Sequence, residues 1–196
     1  MTEAEWLACN DPTPMLRFLL ASKASVRKLR LFACSWFGDK THWARVADIV
    51  AIGERYADGM ALQEEVENAR SRAIQAGSKQ VVWVTVCDGI VGRLMPVFSH
   101  EFVALGSDLK GYVHRLRDIF GNPFRPVTLD PRWRSETVVA LAQGIYAEHA
   151  FDRMPILADA LEEAGCDHAD VLTHCRDPNA AHVRGCWVVD GVLGRV

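Results

Sequence analysis

The sequence predicts an all-α protein, an irregular multi-helix bundle, and three observations lead to this fold class. Apolar residues recur at the three-to-four-residue spacing of a helix along most of the chain. Residues that favour helix starts precede several of these segments, and glycine often follows them. Strand-like patterning is confined to one segment, which is too little to build a sheet. The 196 residues therefore fit a single helical domain, residues 1–196.

The first three predicted helices each begin at a recognisable cap. Thr2 and Glu5 form a capping box at the start of the first helix. Thr13 caps the second, with Pro14 as its first helical residue, a position that proline tolerates. Ser25 caps the third, in which apolar residues again follow the helical period.

The next two helices are predicted to end at glycines, Gly59 and Gly77. The segment that follows, QVVWVTVCDGIVGRLMPVF, is ambiguous. Its β-branched residues and its Asp88-Gly89 pair favour a short β-hairpin at residues 80–93. A lone two-stranded hairpin is only marginally stable, however. We therefore expect helix in this segment and keep the hairpin as the alternative.

A further helix and a proline-rich connector follow. The spacing of Leu109, Val113 and Leu116 predicts one apolar helix face. The next stretch, NPFRPVTLDPRWRS, contains three prolines and cannot be a regular helix. This connector, residues 121–134, is where the chain would divide if it held two subdomains.

Four helices are predicted after the connector. Ser135 caps the first of them, and Gly165 ends the second. The last two, DHADVLTHC and AHVRGCWVVDGVLG, are short and are joined by the Asp-Pro-Asn turn at residues 177–179. Because the run from Cys186 to Val189 is apolar all round, we expect Cys186 and Trp187 to be buried.

Composition narrows the class of protein. The formal net charge of -3 and the pI near 6.2 argue against general nucleic-acid binding, which usually needs a basic excess. No apolar segment has the length of a membrane span, and the acidic N-terminus lacks the pattern of a secretory signal. We therefore expect a cytoplasmic protein with reduced cysteines, no membrane association and no general nucleic-acid partner.

Several stretches of the sequence together resemble one protein family: MTEAEWLACNDPTPML, KLRLFACSW, ERYADG, LRDIFGNPFRPV, LADALEEAGC and HVRGCWVVD. This family consists of bacterial proteins, mainly from planctomycetes, and has no assigned activity. The resemblance covers both ends of the chain and is weakest between residues 79 and 105. It implies a bacterial, helical protein and carries over no catalytic residue and no cofactor.

Cysteine and histidine are concentrated near the C-terminal end, where residues 166–186 contain six of the thirteen in the chain. If the last predicted helix includes His182 and Cys186, these side chains lie four residues apart on one face. Cys166 and either His174 or Cys175 would then complete a four-ligand zinc site.

Two other interpretations of these residues remain open. Structural zinc sites usually contain closely spaced ligand pairs, and only His182 and Cys186 provide one here. A plain apolar core is the leading interpretation, in which Cys186→Ala costs about 1 kcal/mol and no metal is bound. The third is a catalytic thiol at Cys166, activated by a helix N-terminus, although the adjacent Asp167 would oppose thiolate formation.

The connector carries residue types that are enriched at protein interfaces: Phe124, Arg125, Arg132, Trp133 and Arg134. The alternative is that Phe124 and Trp133 pack back onto the body and leave the arginines in water. The sequence contains none of the familiar nucleotide-binding, hydrolase or metalloprotease motifs. We therefore expect a non-enzymatic helical module that binds another protein as a regulator or accessory subunit. The alternative is a zinc-binding or thiol-dependent protein.

Overall fold

The computed structural model describes residues 1–35, 47–75 and 109–195. Within these ranges the chain is all-α, as predicted, with no strand. The segment at 80–93, where helix and hairpin compete, lies outside the described residues. The helices are α1 Glu3–Ala8, α2 Pro12–Ala21, α3 Val26–Ser35, α4 Ala47–Ala57, α5 Gln63–Gln75, α6 Leu109–Phe120, α7 Glu136–Glu148, α8 Met154–Glu163, α9 Ala169–Arg176 and α10 Trp187–Leu193.

The cap of α7 is the predicted residue, whereas the cap of α2 is not. The hydroxyl of Ser135 accepts the Val138 N–H at 3.3 Å, so Ser135 caps α7 as predicted. The cap of α2 is Asp11, whose carboxylate accepts the Thr13 N–H at 2.8 Å. The prediction of Thr13 as that cap is wrong, because Asp11 is an equally good cap and the proline that follows it fits the first helical position.

The described chain forms two compact units that divide between Val113 and His114, within α6. In the first unit, α4 packs against both α3 and α5. A salt bridge of 2.9 Å between Arg27 and Asp58 ties the start of α3 to the end of α4. The connector at 121–134 lies inside the second unit.

The second unit has its own apolar core, formed chiefly by α7 to α10. Helix α8 packs against α7 and α9, and α10 packs against the same two helices. Three cysteines belong to this core together with aliphatic and aromatic residues. Its buried members are Val138, Ala142, Ile145, Tyr146, Met154, Leu157, Ala158, Leu161, Cys166, Val171, Cys175, Cys186, Val188, Val189 and Val192.

The last helix is shorter than the sequence predicts. The turn after α9 is as expected, with the Ala180 N–H donating to the Asp177 carbonyl at 3.2 Å. Helix then begins only at Trp187, because Gly185 adopts a φ of +95°, which a continuous helix does not allow. Cys186 is fully buried, as predicted, whereas Trp187 is only partly buried.

The connector is packed against α10. The Leu129 side chain occupies the space where a Cβ at Gly191 would lie, and the Arg134 guanidinium lies 3.4 Å from the corresponding point at Gly194. The residues from 121 to 134 therefore form part of the second unit. No helix in the described ranges combines the length and the apolar composition that crossing a membrane requires.

Candidate metal centre

Four side chains of the second unit converge on one point: Asp118, His174, His182 and Cys186. One ligand atom from each lies within 4.8 Å of all the others. Asp118 comes from the end of α6 and His174 from α9. His182 lies in the turn segment between α9 and α10, and Cys186 immediately precedes α10. We call this group the four-residue cluster.

Three of the four contact distances within the four-residue cluster approach those of a tetrahedral site, and the fourth is shorter. Nε2 of His174 lies 3.1 Å from Oδ1 of Asp118 and 3.3 Å from Sγ of Cys186. Nδ1 of His182 lies 2.7 Å from the same Oδ1 and 3.9 Å from the same Sγ. Ligand bonds of about 2.0–2.3 Å in a tetrahedron separate the ligand atoms by about 3.3–3.8 Å. The 2.7 Å contact is a hydrogen bond that would have to lengthen around an ion.

Each imidazole uses a single nitrogen for both of its contacts. Nε2 of His174 faces the carboxylate of Asp118 and the thiol of Cys186, and Nδ1 of His182 faces the same two groups. In a Cys-His-Asp catalytic relay, the thiol and the carboxylate bond to opposite nitrogens of one ring. The observed arrangement is not a relay; it directs four ligand atoms at one point.

Asp118 keeps its charge although its side chain is only 4 % exposed. Burial by itself would raise the pKa of this carboxyl, but hydrogen bonds from His174 and His182 outweigh burial and lower it. The second carboxylate oxygen accepts the Val183 N–H at 2.9 Å. The second unit thus holds a fully hydrogen-bonded carboxylate in its interior.

Cys186 is a neutral thiol in this environment. Burial raises its pKa well above the ordinary value, and the charge of Asp118 and the neighbouring Cys175 add to that effect. The backbone N–H groups of Val189 and Val188 act in the opposite direction. A divalent cation at the focus of the cluster would reverse this balance and favour the thiolate. The carboxylate and thiolate would then match its two positive charges.

An aromatic ring lies beside the most accessible residue of the cluster. The side chain of His174 is 18 % exposed, which is more than that of His182 or Cys186. The indole of Trp187 lies 5.2 Å from its imidazole, centroid to centroid. Gly121, with a φ of +62°, lies against the same indole, where a Cβ would be 3.3 Å from Cγ of Trp187. Trp187 therefore packs beside His174, which stays partly exposed.

The structure brings together three of the five ligands considered from sequence, namely His174, His182 and Cys186. The prediction that His182 and Cys186 share one face of a helix is wrong. Both residues precede α10, and a turn places them together. Cys166 and Cys175 lie in the apolar core of the second unit and outside the cluster. Sequence reasoning missed Asp118, whose only signal is a single acidic residue beside the apolar Ile119 and Phe120.

Cys166 lacks the properties of a catalytic thiol. Its side chain is buried, and burial raises its pKa. The backbone N–H of His168 opposes that shift, whereas Asp167 adds to it. Helix α9 begins at Ala169 with His168 as its N-cap, so Cys166 precedes the first helical residue by three positions. The observed surroundings stabilise the protonated thiol rather than the thiolate.

The connector residues do not form one exposed surface. Trp133 packs against the core of the second unit, and Phe124 is half-buried. Arg132 is exposed and forms a two-pronged ion pair with Asp130, with Nη2 2.6 Å from Oδ2. Arg125 is exposed, and Arg134 lies against Gly194. An interaction role for the connector stays a prediction.

Comparison of the chain with protein-family models, curated proteins and solved structures gives no match. The resemblance to the bacterial family stays a prediction.

Proposed function

We propose that the second unit binds one zinc ion through Asp118, His174, His182 and Cys186, and that the ion has a structural role. A single observation carries this proposal: each imidazole presents one nitrogen to both the carboxylate and the thiol. Such convergence is what a shared ion requires, and a proton relay does not need it.

The chemistry of the donors favours zinc over other common ions. One thiolate, two imidazoles and one carboxylate suit a borderline-soft cation in tetrahedral geometry, whereas magnesium and calcium prefer oxygen ligands alone. Four protein ligands leave no open position for a substrate, which is typical of structural rather than catalytic zinc. The proposed function is therefore a zinc-stabilised, non-enzymatic helical module.

The competing account is a metal-free polar cluster. In that account Asp118 simply accepts hydrogen bonds from both histidines and from Val183, and Cys186 fills space beside them. The two accounts make different predictions for Cys186. A ligand is essential to metal binding, whereas a space-filling thiol tolerates a small substitution with a loss of about 1 kcal/mol.

Metal content separates these accounts. The full chain, purified under reducing conditions without chelator or histidine tag, is analysed by inductively coupled plasma mass spectrometry. We expect one zinc per chain in the wild type. Cys186→Ser should remove the zinc, whereas Cys175→Ser should retain it, because Cys175 is an equally buried thiol of the same unit outside the cluster.

Two results would overturn the proposal. One is a wild-type chain that takes up no zinc even after incubation with one equivalent. The other is retention of one zinc per chain by Cys186→Ser, which would place the metal elsewhere.

A further inference from the structure

The two oxygens of the Asp118 carboxylate face different groups. Oδ1 contacts both imidazoles of the four-residue cluster, at 3.1 Å from Nε2 of His174 and 2.7 Å from Nδ1 of His182. Oδ2 instead accepts the backbone N–H of Val183 at 2.9 Å. Among the described residues, this N–H is the one hydrogen-bond donor to Oδ2. One oxygen therefore faces the other ligands, and the second is held by the backbone.

The number of oxygens that Asp118 offers sets the coordination number of a bound ion. A carboxylate binds a metal ion through one oxygen or through both. The proposed zinc site has four ligand atoms when Asp118 contributes Oδ1 alone, and five when Oδ2 joins it. Structural zinc is almost always four-coordinate. A group that controls Oδ2 therefore controls the geometry of the site.

The hydrogen bond from Val183 fixes the orientation of the carboxylate. For Oδ2 to approach the ion, the carboxylate has to rotate, and the bond to the Val183 N–H breaks. Hydrogen bonds to a charged oxygen are stronger than those between neutral groups. Because Asp118 is buried, water cannot readily replace the lost donor. The Val183 N–H thus holds Oδ2 away from the ion.

Val183 also links the carboxylate to the thiol. Its carbonyl oxygen accepts the Cys186 N–H at 3.0 Å, in a turn where Gly185 has a φ of +95°. Its N–H reaches Asp118 across 65 residues of sequence. The backbone of one residue therefore orients Asp118 and closes the turn that presents Cys186.

We propose that Val183 is a positioning residue of the zinc site, whose backbone N–H limits Asp118 to one coordinating oxygen and keeps the ion four-coordinate. Val183 is not itself a ligand and acts only through Asp118. Without this N–H, Oδ2 is free to join the ion as a fifth ligand. The proposal rests on the proposed zinc site, because it concerns the geometry of an ion bound there.

Replacement of a single backbone amide by an ester tests this donor without changing a side chain. Residues 1–174 are produced as a thioester and joined by native chemical ligation to a synthetic segment of residues 175–196. This segment begins with Cys175 of the natural sequence, so the ligated product is the full chain. In the Val183 ester, an oxygen atom replaces the N–H that reaches Asp118.

Two controls accompany the Val183 ester. An ester at Ala180 removes a hydrogen bond of the same turn segment, in which the Ala180 N–H donates to the Asp177 carbonyl at 3.2 Å, outside the cluster. Val183→Ala, made as a recombinant full chain, shortens the side chain and keeps the N–H. Both controls therefore leave the donor to Asp118 in place.

The visible absorption of Co²⁺ is the measurement, because it reports the coordination number. Four-coordinate Co²⁺ absorbs strongly, and its bands weaken and move to shorter wavelength as the coordination number rises. We expect the strong four-coordinate spectrum in the wild type and in both controls. The Val183 ester should bind one Co²⁺ with weaker bands at shorter wavelength. Its zinc affinity, measured by competition with a chelator, should fall by about 10–100-fold.

The outcomes separate this proposal from the zinc proposal. If the wild type binds one zinc but the Val183 ester keeps the wild-type spectrum, or the wild-type spectrum is not four-coordinate, the role of Val183 is overturned and the zinc site stands. An equal spectral change in either control would overturn it too, because the Val183 N–H would then not be the cause. So would a Val183 ester that binds no Co²⁺, since the donor would then be required for binding itself. If the wild type takes up no metal, the zinc proposal fails and this one fails with it.

Discussion

The indole of Trp187 lies 5.2 Å from the imidazole of His174, with 47° between the ring planes. If His174 binds a metal, Trp187 should report it, because a paramagnetic ion within a few ångströms quenches indole emission. We expect Co²⁺ to quench part of the tryptophan fluorescence of the wild type. In Trp187→Phe, Co²⁺ should cause little or no quenching. Trp133→Phe serves as the control. Equal quenching in the wild type and in Trp187→Phe would contradict the arrangement.

Gly121→Ala should destabilise the second unit more than Gly165→Ala. Both glycines have positive φ, +62° and +89°, so each alanine introduces backbone strain of about 1–2 kcal/mol. Only at Gly121 does the new Cβ also press on Trp187, at 3.3 Å from its Cγ, whereas nothing lies within 4 Å at Gly165. Urea unfolding gives both free energies. Equal losses of unfolding free energy in the two variants would show that the Trp187 side chain moves aside without cost.

The charge of Asp118 should make the metal-free second unit sensitive to acid. The pKa of this carboxyl is lowered from 3.8 in the folded chain, chiefly because hydrogen bonds from both histidines outweigh burial. The stability it contributes is therefore fully present above pH 3.8 and is lost as the pH falls through the folded pKa. We expect Asp118→Asn to be less stable than the wild type near neutral pH and to lose less on acidification. Parallel pH profiles of the unfolding free energy would argue against this role.

A chelator should lower the melting temperature of the wild type. An ion at a free concentration of a hundred times Kd stabilises the folded chain by at most about 2.7 kcal/mol, and its binding to cysteine and histidine of the unfolded chain reduces this figure. We expect EDTA to remove this increment and added zinc to restore it. Cys186→Ser should melt at the same temperature with and without EDTA, so a chelator effect that persists in this variant would point to another site.

Trp133→Ala and Arg132→Ala should differ sharply in stability. Trp133 packs against the core of the second unit, so its truncation should cost about 2–3 kcal/mol for a partly buried ring. The Arg132 side chain is 86 % exposed and pairs only at the surface, so its removal should leave the melting temperature unchanged. Thermal unfolding of both variants measures this. Unaltered melting of Trp133→Ala would contradict the packing role and favour a role of Trp133 in partner binding.

The helices were predictable because their signals are local. Apolar spacing and caps such as Ser135 depend on neighbouring residues, and the structure confirms them. The start of α2 and the length of α10 were harder to predict from the sequence. Asp11 and Thr13 are both good caps two residues apart, and Gly185 takes a left-handed conformation that a helical pattern does not reveal.

The cluster was only partly predictable because one ligand is distant in sequence. The density of cysteine and histidine pointed to His174, His182 and Cys186. Asp118 lies 64 residues before His182, and a single aspartate on an amphipathic helix carries no spacing signal. Cys166 and Cys186 have the same side-chain chemistry and are both buried in the core, and only tertiary packing decides that Cys186 joins the cluster.

The 64-residue separation between Asp118 and His182 also bears on how the chain would acquire the proposed zinc ion. In a newly made chain, the thiols and imidazoles of residues 166–186 are close neighbours, whereas Asp118 reaches them only after a long loop closes. Unfolded cysteine and histidine bind zinc too. An ion captured early by Cys166 or Cys175 must dissociate before these thiols can enter the core. Excess zinc should therefore slow refolding, and the kinetic trap should weaken in Cys166→Ala.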